Sequence, residues 1–259
     1  MLDLQQIKNA YPTRYHGFER SLLREYLQIK ILQALFAAHN AEKLSFLGGT
    51  AIRILYGNER FSEDIDLDHF GLSWEQFEEM TRSVERFLAL EGFEVEMRLV
   101  EKGAYHCNIR IPRFLYAQGV SLIREEKILI RIDTFAQGYV YQPDIKIINQ
   151  FDVFTEIRAT PPAILLSQKI FTSINRTRPK GRDFYDITFL LSFTRPDFGF
   201  LDLKMGVSNA NQLRDIYAEK ISHLDFRSLA EDVAPFLLSN DQVQRVLLFR
   251  QFWEQTALA

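Results

Sequence analysis

The sequence predicts an α+β fold: a small mixed or largely antiparallel sheet flanked by helices, followed by a helical C-terminal region. Short segments of alternating polar and apolar residues are concentrated before Pro161–Pro162, and helical periodicity dominates after it. Apolar residues make up 47% of the 259 residues, which is enough for a hydrophobic core. We therefore predict a core domain over residues 1–160 and a helical domain over residues 161–259.

Composition excludes several classes of protein. A formal net charge of -3 argues against a generally basic protein that coats nucleic acid, although a local patch can still bind one. The single cysteine, Cys107, allows neither an intramolecular disulfide nor a cysteine-based zinc cluster. No apolar stretch approaches the roughly 18 residues that span a bilayer, and no signal peptide is recognisable. We expect a cytoplasmic protein with no membrane partner.

Four elements are predicted before residue 71. In chain order they are a helix at 18–38, a strand at 44–49, a short helix at 50–57 and a strand at 64–70. The first helix has a broad apolar face at helical spacing. Thr50 is the predicted N-cap of the short helix, and Gly57 is predicted to end it.

Further elements follow the same reasoning. The pattern predicts a helix at 73–91, strands at 93–102, 104–113 and 127–135, and an extended segment within 145–158. The spacing of the first two of these strands predicts a hairpin. Beyond the two prolines, helices are predicted at 163–175, 182–193, 211–224, 226–238 and 241–257.

The segment DIDLDHF carries the first candidate site residues. On a strand Asp64 and Asp66 point the same way, about 6.6 Å apart. Two carboxylates on one face repel unless a cation lies between them, and Mg²⁺ prefers oxygen ligands. Asp68 continues this face but lies farther along, so we assign it a lesser role.

Asp133, in KILIRIDTF, is a possible third carboxylate. If its strand lies beside residues 64–70, three acidic groups converge. That arrangement suits two-metal phosphoryl or nucleotidyl transfer.

The Gly48–Gly49 turn fits the same chemistry. Glycine lets the backbone approach a phosphate closely, and N–H groups at a helix start, including that of Thr50, can face one. A lone D-x-D or Gly-Gly is weak evidence, because turns and surface strands often carry them. The order strand, Gly-Gly-Thr, short helix, loop and D-I-D strand is much more specific.

The segment GGTAIRILYGNERFSEDIDLD resembles the first motif of the AbiEii/AbiGii-type nucleotidyltransferases of the DNA polymerase β-like superfamily. The match is close over residues 44–70 and looser over most of the chain. The resemblance implies a small mixed sheet flanked by helices, a helical C-terminal domain and an NTP donor. Many members are toxins of toxin–antitoxin or abortive-infection systems, restrained by a separately encoded antitoxin.

The resemblance also implies roles for individual residues. Gly48, Gly49 and Thr50 match the phosphate-contacting turn, and Ser62, Asp64 and Asp66 match the metal-binding S-x-D-x-D segment, while Asp133 matches the later strand aspartate by position. Lys169 resembles the helical lysine that contacts nucleotide phosphates. RPKGRDFYDI resembles a downstream motif in which Arg182 and Asp183 bind nucleotide and Asp186 is the active-site member.

Purely structural roles remain open for the same residues. Lys169 can be a solvent-facing lysine whose stem covers apolar surface. Asp186 can hold Lys169, contact the nucleotide, or form a structural ion pair with Arg182. The basic loop formed by Arg176, Arg178, Lys180 and Arg182 can meet RNA phosphates or a triphosphate, or be merely solvated. Arg53, Arg60, His69 and His106 are interpreted as structural, and Cys107 as a small buried hydrophobe.

Our preferred hypothesis is a Mg²⁺-dependent nucleotidyltransferase toxin that moves NMP from an NTP to an acceptor hydroxyl. The acceptor predicted from the resemblance is RNA, with tRNA 3′ ends as the preferred site, and a protein hydroxyl is the alternative. One rival is a housekeeping enzyme, for example one modifying a small molecule such as an antibiotic. Another is a binding protein that keeps the fold without the chemistry.

Overall fold

The computed structural model describes residues 1–259 and contains one seven-stranded mixed sheet and twelve α-helices, so the predicted α+β class is confirmed. The strands are β1 (Leu44–Leu47), β2 (Ile65–His69), β3 (Glu96–Glu101), β4 (Tyr105–Pro112), β5 (Lys127–Thr134), β6 (Asp144–Gln150) and β7 (Val153–Ala159). Their spatial order is β3-β4-β5-β2-β1-β7-β6. The pairs β2–β5 and β1–β7 are parallel, and the others are antiparallel.

The helices agree with the predicted pattern in most places. They are α1 (Leu4–Asn9), α2 (Glu19–Ala37), α3 (Gly48–Tyr56), α4 (Trp74–Leu90), α5 (Phe114–Ala117), α6 (Pro162–Asn175), α7 (Gly181–Leu190), α8 (Phe198–Met205), α9 (Ala210–Ile221), α10 (Phe226–Val233), α11 (Gln244–Leu247) and α12 (Phe249–Gln255). The short helices α1 and α5, and also α8, were not predicted from sequence. The helix predicted at 241–257 is instead a 3₁₀ turn followed by α11 and α12.

The chain forms two compact units. One comprises residues 1–57, 61–138 and 142–159, and it contains the whole sheet with α1–α5. The other comprises residues 58–60, 139–141 and 160–259, and it contains α6–α12.

The core of the sheet unit follows strand alternation. On β4, Cys107, Ile109 and Ile111 are buried, while the residues between them are partly exposed. Burial raises the pKa of the Cys107 thiol to about 12, as expected for a small buried hydrophobe. Helix α2 is buried along most of its length and packs on α4 and β7. The helical unit has its own core, rich in aromatic side chains such as Phe184, Tyr217 and Trp253.

Local signals explain where elements begin and end. Ser73 and Gln76 form a capping box at the start of α4, and Gly57 ends α3 with φ +75°. The predicted N-cap Thr50 is wrong, because α3 already begins at Gly48 and Leu47 occupies the capping position.

The extended segment predicted within 145–158 is a hairpin of β6 and β7. Its turn at Phe151–Asp152 places Phe151 at φ +59°, a conformation usually signalled by Gly or Asn. Neither of these residue types occupies the turn, so the sequence analysis did not predict it. No helix of the chain combines the length and the apolarity needed to cross a bilayer.

Candidate active site

Asp66 and Asp133 are direct neighbours in the sheet. Parallel pairing of β2 with β5 sets Asp66 opposite Asp133, with Ile65 opposite Ile132. Residues opposite each other in a pair share a face, so both carboxylates leave the same side of the sheet. Their neighbours Ile65 and Ile132 are fully buried on the other side. The predicted convergence required these two strands to be adjacent, and they are.

Gly48 brings a backbone turn against Asp66. The register sets Leu47 of β1 opposite Asp66, and Gly48 follows with φ +80°. A Cβ on Gly48 would lie 2.8 Å from both Cβ and Cγ of Asp66 and would overlap its carboxylate. Only glycine combines that φ with that approach. The glycine turn and a candidate metal ligand thus form one compact feature.

Asp64 lies just before β2, and Arg131 of β5 binds its carboxylate. The Arg131 Nη2 atom lies 2.5 Å from Oδ2 of Asp64, and Nε lies 3.1 Å from Oδ1. This hydrogen bond raises the pKa of Arg131, and the charges of Asp133 and Asp66 act in the same direction. The Arg131 side chain is 51% exposed, so solvent screens the pair. The sequence analysis did not assign Arg131 to the site. Its position two residues before Asp133 indicated that the two side chains share a face of β5.

His106 of β4 holds Asp133. Its Nδ1 lies 2.7 Å from Oδ1 of Asp133, its partner in the β4–β5 register. Both side chains are about one-third exposed. His106 was interpreted as structural, and the contact gives it instead a place beside a candidate site residue.

The carboxylates suit a hard cation by chemistry, because all the donors are oxygen atoms on one face. Asp66 also lies in the space that the missing Cβ of Gly48 leaves open. As the side chains stand, no three His, Cys, Asp or Glu residues form a group able to hold a metal ion. Arg131 binds both carboxylate oxygens of Asp64, and His106 binds one oxygen of Asp133. A cation on this face would therefore compete with the Arg131 charge for Asp64.

The start of α3 presents backbone donors. Gly48, Gly49 and Thr50 form its first turn, and no side chain caps it. The first N–H groups of a helix have no intrahelical partner and can face an anion. The Thr50 hydroxyl, in contrast, donates to the backbone carbonyl of Asp64. Because this hydroxyl braces the start of β2, a phosphate contact by Thr50 rests on its backbone N–H.

Ser62 and Asp68 differ in their surroundings. Ser62 is half-buried before β2, and its carbonyl accepts a hydrogen bond of 3.2 Å from Gln28. Asp68 is 1% exposed and accepts the backbone N–H of Gln137 at 2.9 Å. Asp68 therefore anchors the segment after β5, in keeping with its lesser predicted role.

Lys169 in the helical unit is held by two buried aspartates. Its Nζ lies 3.1 Å from Asp183 and 2.9 Å from Asp186, and the lysine side chain is 13% exposed. Both aspartate side chains have no exposed surface. This geometry favours the alternative in which Asp186 holds Lys169, and it adds Asp183 as a second partner of the lysine.

Asp186 pairs with Arg60, which corrects the suggested pairing with Arg182. Arg60 donates Nε to Oδ1 at 3.0 Å and Nη2 to Oδ2 at 2.8 Å, and Asn58 donates to Oδ1 at 2.9 Å. Burial of Asp186 opposes ionisation, but Arg60 and Lys169 outweigh it and hold the pKa of this carboxyl below its usual value. Arg60 is thus structural, as predicted, through a buried ion pair. Arg53 is structural in the same way, 2.5 Å from Glu25.

The basic loop after α6 is partly neutralised. Arg176 lies 3.2 Å from Asp183, and Lys180 lies 3.1 Å from Asp232. Arg178 and Arg182 form no ion pair and have exposed surface. Arg178 in the loop and Arg182 in the first turn of α7 are therefore available to an anion.

Comparison with known proteins identifies the family. A family described as nucleotidyl transferase AbiEii toxin, type IV toxin–antitoxin system, matches residues 30–235, which is most of the chain. The chain belongs to the AbiEii nucleotidyltransferase toxin family. Membership makes it a nucleotidyltransferase, with an NTP substrate and a separate antitoxin. The resemblance seen in the GGTAIRILYG…DIDLD segment is thereby confirmed. No curated protein matches the chain significantly.

Solved structures share the AbiEii-type fold. JHP933 from Helicobacter pylori matches with a TM-score of 0.55 and 17% identity, covering 92% of this chain and 93% of its own. A candidate nucleotidyltransferase from H. pylori has a TM-score of 0.57 at 18% identity, covering 92% and 96%. MenT4, a nucleotidyltransferase toxin from Mycobacterium tuberculosis, has a TM-score of 0.57 at 15% identity, covering 99% and 91%. At these identities the likeness concerns the fold.

Proposed function

We propose that this AbiEii-family enzyme requires Mg²⁺ and transfers NMP from an NTP to a hydroxyl of RNA, with the 3′ end of tRNA as the preferred acceptor. The observation that carries the proposal is the pairing of Asp66 with Asp133 beside the Gly48 turn. It supports a divalent ion at the reacting phosphate, because adjacent carboxylates on one face attract a hard cation.

The chemistry is a single displacement at phosphorus. The acceptor hydroxyl oxygen forms a bond to the α-phosphorus, and the bond from that phosphorus to the pyrophosphate oxygen breaks. The hydroxyl proton leaves to a carboxylate, for which Asp133 is the proposed acceptor, or to solvent. Asp64 and Asp66 would hold Mg²⁺, which when bound neutralises charge on the phosphates. The alternative role for Asp133 is to ligate a second ion instead of taking the proton.

Other residues are proposed to bind the donor. Backbone N–H groups of Gly48, Gly49 and Thr50 would receive phosphate oxygens at the start of α3. Lys169 is proposed to neutralise phosphate charge, with Asp183 and Asp186 holding its ammonium group in place. Arg182 and Ser62 stay proposed nucleotide contacts from the family motif.

The direct test incubates the protein with each α-labelled NTP, Mg²⁺ and either total RNA or cell extract. We expect label on RNA with one or a few NTPs, none with EDTA, and none with Asp66→Ala. Label on protein alone would reject the RNA acceptor. Label that resists EDTA would reject the metal requirement, and no label with any NTP would reject the proposal.

A further inference from the structure

The sheet beside the candidate carboxylates has one open face. Strand alternation puts isoleucines of β4 and β5 into the core, while the residues between them point the other way. We call this other side of β3, β4 and β5 the open face. Its members on β4 and β5 are His106, Asn108, Arg110, Lys127, Leu129, Arg131 and Asp133.

Register makes the open face continuous with the candidate site. Asp66, Asp133 and His106 stand side by side on β2, β5 and β4. In the next row, Arg131, Asn108 and Arg98 stand side by side on β5, β4 and β3. Adjacent strands are about 4.8 Å apart, so Arg98 lies about 10 Å from Arg131. The third row sets Leu129, Arg110 and Glu96 side by side.

Charge on the open face becomes positive away from the carboxylates. Arg131 is paired with Asp64, and Glu96 is bound by Lys127 at 2.6 Å. Arg98 is exposed and Arg110 partly exposed, and neither forms an ion pair. In a chain with net charge -3, two unpaired guanidinium groups on the same sheet face as the candidate catalytic carboxylates form a local cationic surface.

The chemistry of this surface favours a polyanion over a protein. Protein interfaces have an apolar, often aromatic, centre. Here the rows beyond the carboxylates expose guanidinium groups, an amide and the Lys127–Glu96 ion pair, with Leu129, 38% exposed, as the apolar member. Arginine and asparagine are residues that bind phosphate oxygens and position a nucleic acid without reading its sequence.

We propose that the open face binds the sugar–phosphate backbone of the acceptor RNA, with Arg98 and Arg110 contacting phosphates upstream of the reacting hydroxyl. The inference rests on the proposed function, because the strand is aligned toward Asp66 and Asp133. It adds the path of the acceptor, which the carboxylates alone do not define. Arg98 and Arg110 are binding residues and take no part in bond making.

The test compares charge reversals at matched arginines. Arg98→Glu and Arg110→Glu alter the open face, whereas Arg86→Glu makes the same charge change on α4. Arg86 is exposed, forms no ion pair and donates to Ser83 at 2.9 Å. Helix α4 contacts β3 and β4 and buries Phe77, Val84 and Leu88 in the core. Thermal unfolding verifies that all three variants are folded. If a charge reversal prevents folding, Arg98→Gln or Arg110→Gln replaces it in the comparison.

Two readouts are measured. Binding of a fluorescent single-stranded 20-nucleotide RNA and of total tRNA is followed by anisotropy at several salt concentrations. We expect each open-face reversal to weaken binding about tenfold and to reduce the salt slope by roughly 0.7 for each phosphate that the variant no longer binds. In the open-face variants the KM for the RNA acceptor should rise, while the affinity for NTP stays at the wild-type value. In Arg86→Glu the RNA affinity, the acceptor KM and the NTP affinity should all stay at their wild-type values.

The outcomes separate this inference from the proposed function. If wild-type protein labels RNA but the open-face variants keep the wild-type acceptor KM, RNA affinity and salt slope, the inference is overturned and the function stands. Equal losses in Arg86→Glu would also overturn it, since the effect would then be one of net charge. If wild-type protein labels only protein, the proposed RNA acceptor fails and the inference fails with it.

Discussion

At the scale of single residues, the site depends on close approaches between side chains from different strands. Gly48 meets Asp66, Arg131 binds Asp64, and His106 binds Asp133. Nothing in the local sequence around these residues specifies which partner each one contacts. The consequences of these contacts can be separated by substitution.

Gly48→Ala should abolish transfer by displacing Asp66. The added Cβ would overlap the Asp66 carboxylate, and φ +80° strains alanine. We expect activity to fall at least about 100-fold, as for a misplaced catalytic group, with a stability loss of about 1–3 kcal/mol.

Gly57→Ala is the matched control, because its φ of +75° carries the same strain but nothing lies within 4 Å of the new Cβ. The two stability losses should be of the same order, measured by urea unfolding, while Gly57→Ala keeps transfer activity. Equal loss of activity in both variants would contradict a specific role for the approach to Asp66.

Arg131→Ala should tighten divalent-ion binding. Arg131 occupies Asp64 and places a positive charge among three carboxylates. Its removal frees a ligand and leaves the negative charges less neutralised, so we expect an apparent Mn²⁺ affinity several-fold higher by calorimetry. Weaker binding than in wild-type protein would mean that Arg131 organises the ligands rather than competing with the ion.

At the scale of secondary structure elements, buried charge holds α6 and α7 and the 58–60 segment of the helical unit in place. Arg60, Lys169 and Asp186 form a fully or largely buried cluster. Removing one member of such a cluster leaves an uncompensated charge away from water.

Asp186→Ala should cost about 3–5 kcal/mol in the free energy of unfolding, because Arg60 and Lys169 lose their shared partner. Glu78→Ala is the control: it removes an exposed i,i+4 pair with Arg82 and should cost at most about 0.5 kcal/mol. Equal losses in urea denaturation would show that the buried cluster does not stabilise the fold.

Acidification gives a second readout for the same cluster. The pKa of Asp186 is lower in the folded protein than its usual value, so its contribution is present above that usual value and is lost as pH falls through the folded pKa. Below about pH 4, wild-type protein should therefore lose stability more steeply than Asp186→Asn. Parallel pH profiles for the two proteins would contradict this assignment.

At the scale of the whole molecule, membership of the AbiEii family means that the chain is both a nucleotidyltransferase and a toxin. A toxin that acts by transfer is expected to depend on the candidate carboxylates, whereas a protein that acts by binding alone need not. Growth on expression therefore reports on the complete reaction.

Induced expression of wild-type protein should arrest bacterial growth, and Asp66→Ala should restore it at equal protein levels, measured by optical density and immunoblot. Asp68→Asn is a useful comparison, because Asp68 anchors the Gln137 segment and lies in the same motif. We expect that variant, if it folds, to retain toxicity. Toxicity that persists in Asp66→Ala would mean that growth arrest does not require transfer.

The amino-acid sequence by itself determined the fold class, the family and most helices and strands. These follow from local signals: apolar periodicity over α2 and α4, alternation along β4 and β5, and the Gly-Gly-Thr to D-I-D order. The hairpin turn at Phe151 and the break within 241–257 were not predicted, because no Gly or Pro marks them. The helix predicted at 226–238 was also too long, although Pro235 follows the end of α10 at Val233. Roles of the site residues stay predictions until transfer is measured.

Only the tertiary structure decided which side chains meet. Parallel pairing of β2 with β5 joins segments far apart in the chain, and it sets Asp66 opposite Asp133 and Arg131 against Asp64. For the same reason, the partner of Asp186 is the distant Arg60 and not the nearby Arg182. Periodicity specifies the face on which a side chain lies, but packing and register, which depend on the whole chain, specify its partner.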